Sequence, residues 1–142
     1  GVAGKGNPGV TALIKQTPGA IGYVEYGYAR QTGMPMAELE NKSGKFIKPD
    51  LETGKDALAS VELPDNLRAW ITDPTGAGAY PIVTYTWLLC YKKYQDPKIA
   101  ETLKSVIHFG LTQGQTYSVE LGYIPLPGNV VTAVTKALEQ IS

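Results

Sequence analysis

The run DPTGAGA, residues 73–79, interrupts the apolar periodicity of the chain near its midpoint. Its proline and two glycines end any helix or strand that enters it. No regular element is expected to cross it, and it is the expected hinge or linker. The apolar residues on either side then fall into two clusters of roughly 65–80 residues each, near the lower limit for an independent core. The 142 residues together have the length of about one domain.

Sixteen glycines and ten prolines punctuate the rest and keep the predicted elements short. Asn7 is placed to cap a helix that opens at Pro8, with Val10, Leu13 and Ile14 on one face, and Pro18-Gly19 stops it. Residues 20–26, AIGYVEY, predict a buried strand in which Gly22 suggests close approach of another backbone. A short helix follows at 28–32, ended by Gly33. Residues 37–41 and 46–48 predict two short strands around the turn Lys42-Ser43-Gly44. Pro49-Asp50 opens a helix with Ala57, Leu58 and Val61 inward. Residues 67–72 alternate Leu67, Ala69 and Ile71 against Arg68, Trp70 and Thr72, the pattern of a half-buried strand.

Beyond the break, PIVTYTWLLCY at 81–91 is the strongest strand signal in the chain. Asp96-Pro97 caps a long helix with Ile99, Leu103, Val106, Ile107 and Leu111 on its apolar stripe. A short helix is expected at 115–121, closed by Gly122. After Pro125 and Pro127, a last helix starts at Gly128 or Asn129, with Val130, Val134, Leu138 and Ile141 inward. Strands mixed with helices make this an α/β chain.

Thirteen basic and thirteen acidic residues cancel, which argues against a nucleic-acid or anionic-membrane partner. No apolar run approaches the roughly 18 residues of a membrane span. Cys90 stands alone, so neither an intrachain disulfide nor a cysteine metal cluster is available. The chain opens at Gly1 without methionine or leader, as a processed terminus or an excised piece would.

The sequence offers one anion-binding pattern. GKGNPG, residues 4–9, leads into a helix, whose free N–H groups and positive dipole end attract anions, and Lys5 adds charge. Lys5, Gly6 and Asn7 are the candidate phosphate-binding residues. The loop lacks the Gly-Lys-Ser/Thr ending of a P-loop, and a helix start that needs glycine for a tight turn explains it equally. His108, the single histidine, cannot make a metal site by itself. Glu25 sits in an apolar segment, where a carboxylate requires a strand end or a partner. Glu38 and Asp73 are conceivable acid/base mates for it, but a structural hydrogen bond is the simpler role. The tyrosines of 23–28 and 80–94, with Trp70 and Trp87, suit either a sugar or base platform or plain packing.

The order of these motifs is recognisable. GKGNPGVTALIKQTPGAIGYVEYGYA at 4–29, YPIVTYTWLL at 80–89 and YIPLPGNVVTAV at 123–134 resemble the periplasmic phosphate-binding proteins of high-affinity phosphate ABC transporters. The helix from Ile99 to Gly114 is similar as well. The resemblance covers essentially the whole chain and implies the C-terminal half of a two-lobed periplasmic-binding-protein (type II) fold. Residues 1–79 would finish the second lobe, and 80–142 would supply the return strand and closing helices of the first. It implies a non-enzymatic protein without cofactor, whose partners are inorganic phosphate, the N-terminal half of the same protein and an ABC permease. It further implies a periplasmic or cell-surface location, with a signal peptide in the N-terminal half. The family's main anion-binding turns do not occur in this sequence, so none of its phosphate ligands carries over. Two rivals are a self-associating fragment without a ligand and a phosphatase on a related fold.

Overall fold

A computed structural model describes all of residues 1–142. Six helices and one short hairpin follow in the order α1 (Gly6–Gln16), α2 (Tyr26–Gln31), β1 (Leu39–Glu40), β2 (Phe46–Ile47), α3 (Leu51–Ala59), α4 (Pro97–Leu111), α5 (Gln115–Ser118) and α6 (Gly128–Leu138). The hairpin is antiparallel, with Leu39 opposite Ile47 and Glu40 opposite Phe46. No helix is long and apolar enough to cross a membrane.

The helix starts follow local chemistry. Asp50 accepts the Thr53 N–H at 2.8 Å while the Thr53 hydroxyl accepts the Asp50 N–H at 3.0 Å, so α3 opens on a reciprocal capping box. Asp96 accepts the Lys98 N–H at 2.9 Å, with Pro97 at the first helical position of α4. α6 opens at Gly128, as expected.

Three expected strands, at 20–26, 67–72 and 81–91, form no sheet. A strand needs a neighbour for its N–H and C=O groups, and none of the three finds one in this chain. Their side-chain alternation nevertheless persists. Leu67, Ala69 and Ile71 are half-buried while Arg68, Trp70 and Thr72 are exposed. Val83, Tyr85 and Trp87 turn inward, and Ile82, Thr84, Thr86 and Leu88 outward. Tyr26, expected to end the first strand, instead begins α2. Gly22 faces the side chain of Ile14, not another backbone.

The apolar clusters do not divide at residues 73–79. The first joins Leu58 of α3 to Tyr85 and Val130, with Ile71, Trp87 and Ile124 around them, and so draws on both sides of the break. Tyr85 donates its hydroxyl to the Leu58 carbonyl at 2.8 Å, and Trp87 Nε1 donates to the Leu67 carbonyl at 2.8 Å. The second cluster joins Ala100, Leu138 and Ile141, flanked by Cys90, Tyr94, Leu103 and Ile107. Here α4 packs on α6. α4 thus has two apolar faces. Ala100, Leu103, Ile107 and Leu111 face the chain, whereas Ile99 and Val106, expected on the same stripe, are exposed.

Residues 73–79 are fastened. The buried Asn41 donates Nδ2 to the carbonyls of Ala77 and Ala79, at 3.1 and 3.2 Å. Its Oδ1 accepts the N–H groups of Ser43 and Lys45, at 3.0 and 3.2 Å. Tyr80 donates its N–H to the Thr53 carbonyl at 3.1 Å. One side chain thereby ties the hairpin turn to the central break.

Candidate functional site

α1 begins two residues earlier than expected, which moves Asn7 into its first turn. The N-cap is Lys5, no side chain caps the helix, and the Lys5 carbonyl accepts the Gly9 N–H at 3.3 Å. Asn7 is therefore not the cap. Its Oδ1 accepts the backbone N–H of Glu25 at 3.1 Å, pinning the end of the 20–25 segment to α1. Gly6 has φ +65°, and a side chain on Gly4 would collide with the backbone of Gly9 and Val10. Tight turning thus accounts for these glycines.

The first turn still offers something to an anion. The N–H groups of Gly6 and Asn7 have no intrahelical acceptor, as at every helix start. Pro8 removes the third donor. The exposed Lys5 ammonium adds one mobile charge. Two backbone donors and one lysine attract an anion by dipole and charge. They do not enclose a phosphate dianion, which needs its oxygens surrounded by donors once it leaves water.

The other sequence candidates scatter. Glu25 is the N-cap of α2 and is exposed. His108 is exposed in the last turn of α4. No three His, Cys, Asp or Glu side chains converge as metal ligands. Of the aromatic residues, Trp70, Tyr85 and Trp87 lie together, as do Tyr91 and Tyr94, whereas Tyr23 is exposed. Trp70 and Trp87 lie 6.4 Å apart and tilted, while Tyr85 and Trp87 lie 6.4 Å apart edge to face. Cys90 is half-buried beside Tyr94 in the second cluster. Burial raises the Tyr80 and Tyr85 phenols above the usual 10.0.

Asn41 and Asp73 hold places that the sequence reading did not give them. Asn41 looked like a strand end but carries four hydrogen bonds, and only its closeness to Lys42-Ser43-Gly44 hinted at a turn. Asp73 has φ +45° and an enclosed Oδ1 with no hydrogen-bond partner. Its place before Pro74 in the break was the available signal.

A family model described as PBP superfamily domain matches residues 1–113. The chain belongs to this superfamily. The α/β expectation, as part of a PBP fold, is borne out. The phosphate-binding protein PstS of Methanocaldococcus jannaschii is 39% identical over 154 residues, covering 99% of this chain and 40% of its own length. PstS of Pasteurella multocida is 32% identical, covering 94% of the chain and 40% of its own length. PstS of Xylella fastidiosa is 34% identical, covering 94% and 37%. This PBP chain thus spans about 40% of the length of these relatives.

Proposed function

We propose that the chain is the C-terminal part of a solute-binding protein that captures inorganic phosphate for an ABC transporter. The observation that carries this reading is the nearly complete alignment of the chain with relatives named phosphate-binding protein PstS. On this reading the protein is no enzyme. It works in the periplasm or at the cell surface, reached by a signal peptide in its N-terminal half.

Residues 1–79 belong to the second lobe and 80–142 to the first, and the missing donors around phosphate come from the N-terminal half. Lys5, Gly6 and Asn7 then form one rim of the anion path and not the whole seat. Exposed apolar residues support the presence of a partner half. Ile21 is 99% exposed, Leu89 97% and Tyr23 93%, all on extended segments without a neighbour. The same surface favours the second reading, self-association of the isolated chain.

Equilibrium dialysis with labelled phosphate, on this chain and on the chain joined to the N-terminal part of its own protein, tests the proposal. The joined protein should bind phosphate and the 142-residue chain should not bind it below micromolar concentration. Losing three charge-assisted hydrogen bonds at about 1.5–3 kcal/mol each removes roughly three to six decades of affinity. Failure of the joined protein to bind phosphate would overturn the reading. Sedimentation of the lone chain tests the second reading, which requires a concentration-dependent rise in mass.

A further inference from the structure

We propose that Asn41-Lys42-Ser43 is an acceptor for N-linked glycosylation that the unfolded chain offers and the folded chain withdraws. The proposal concerns this turn and does not depend on phosphate as the ligand. It takes from the proposed function only the passage of the chain to the outside of a membrane, and its test is independent of that passage.

Asn-X-Ser, with X other than proline, is the acceptor pattern for a lipid-linked oligosaccharide. It occurs once in the chain. In the transfer, the asparagine Nδ2 displaces the lipid phosphate from the first carbon of the sugar. An N–C bond forms, the C–O bond to the phosphate breaks, and one amide proton is released. Asn41 therefore has to exchange one of its two Nδ2 hydrogens for a sugar.

The pattern ordinarily marks a surface loop, and most of this one lies on the surface. Lys42 and Ser43 are exposed in the turn between β1 and β2. The Ser43 N–H donates to Asn41 Oδ1 at 3.0 Å, an Asx turn. Asn41 itself is buried.

Both Nδ2 hydrogens are taken in the fold. One is donated to the Ala77 carbonyl at 3.1 Å and the other to the Ala79 carbonyl at 3.2 Å. A sugar carbon in place of either hydrogen stands about 1.45 Å from the nitrogen, on nearly the same line. It would then lie less than about 2 Å from a carbonyl oxygen, where even a close C–H···O contact needs about 3.3 Å. The carbonyls have little room to retreat. Ala79 is fully buried, Tyr80 beside it donates its N–H to the Thr53 carbonyl, and a Cβ on Gly78 would stand 2.8 Å from Asp56 Oδ2. The sugar and residues 77–79 thus compete for one nitrogen. Transfer before folding removes the tie between the hairpin and the central break, and folding before transfer removes the acceptor.

A purified oligosaccharyltransferase with its lipid-linked oligosaccharide reads this directly, with products located by mass spectrometry. The acceptors are a peptide of residues 36–48, which serves as the unfolded form, and the folded chain joined to the N-terminal part of its own protein. The peptide should be glycosylated at Asn41. The folded protein should be modified more than about tenfold more slowly, because the site opens only as the native bonds break. Ser43→Asn combined with Lys45→Thr moves the acceptor to position 43, an exposed place in the same turn, and leaves the backbone groups bonded to Asn41 unchanged. The folded double variant should be glycosylated there at a rate close to that of its own peptide. Modification of the folded parent at Asn41 as fast as the peptide would overturn the proposal, and so would a peptide that accepts no sugar. A double variant as silent as the folded parent would overturn it too, since the turn as a whole, and not the Asn41 bonds, would then close the site.

Discussion

Replacing Asn41 separates two kinds of loss at one buried position. Asn41 is 5% exposed and divides its amide cleanly, with Nδ2 donating to two carbonyls and Oδ1 accepting two N–H groups. Asn41→Ala removes all four bonds. Ala77 is exposed and its carbonyl rehydrates, whereas Ala79 is fully buried and its carbonyl is left without a donor. A net hydrogen bond contributes about 0.5–1.5 kcal/mol and a stranded buried acceptor costs about 1–3. The expected loss is therefore about 3–6 kcal/mol, a large part of the roughly 5–15 kcal/mol of a folded domain. Asn41→Asp keeps the two accepted bonds but aims a carboxylate oxygen at two carbonyl oxygens. At pH 7 it should destabilise at least as much as alanine. The folded-state pKa of this carboxyl must lie above its unfolded value, because both burial and the carbonyls oppose the charge. Its stability is then complete below the unfolded value of about 3.9 and is lost as pH rises through the folded pKa. Urea midpoints of both variants at pH 7 and pH 4.5 check this. An Asn41→Asp chain as stable as the parent at pH 7, or one whose deficit is independent of pH, would refute the assigned donor and acceptor roles.

Two further outcomes follow from the same geometry. Tyr80 and Tyr85 hold their protons more firmly in the folded chain than unfolded, so the stability they contribute is complete below about pH 10 and falls as pH rises through the folded values; Tyr85→Phe should make alkaline melting curves shallower in pH while costing about 0.5–1.5 kcal/mol at pH 7 for one lost hydrogen bond, because the Val61 N–H still reaches the Leu58 carbonyl at 3.4 Å. Asp50→Ala should cost about 0.5–2 kcal/mol by dismantling the α3 capping box, whereas Asn7→Ala should slow no helix formation and should instead free the Glu25 amide to exchange, which circular dichroism and hydrogen exchange distinguish.

Local chemistry was legible where the partner is near in sequence. Asp50 with Thr53, and Asp96 with Lys98, are bonds across two or three residues, and both helix starts were readable. Asn7 was misread because its partner is 18 residues away; an asparagine before proline looks like a cap until Glu25 arrives to claim it. Asn41 reaches 36 and 38 residues ahead, so nothing local revealed that the apparent linker at 73–79 is tied down. The GKGNPG loop was legible as a helix start, but its anion capacity depended on donor number, which Pro8 limits.

The unpaired segments point to what lies beyond the chain. A strand with one wet face alternates apolar and polar residues, and 67–72 does so. Residues 81–91 carry apolar side chains on both faces, with Val83, Tyr85 and Trp87 on one and Ile82 and Leu88 on the other. Such composition belongs to a strand covered on both sides. This chain covers one side, through Leu58 and Val130, and leaves Ile82 72% and Leu88 73% exposed. At about 25 cal/mol per Å², burying side chains of that size is favourable by about 1.5–3 kcal/mol each. The outward face thus gains several kcal/mol once it is covered, and the same residues lack both sheet neighbours and a dry environment here. A polypeptide supplying strands on either side would satisfy both needs at once. That coincidence of unpaired backbone and uncovered apolar face is the physical argument for the reading proposed above, in which further polypeptide completes the fold of this chain.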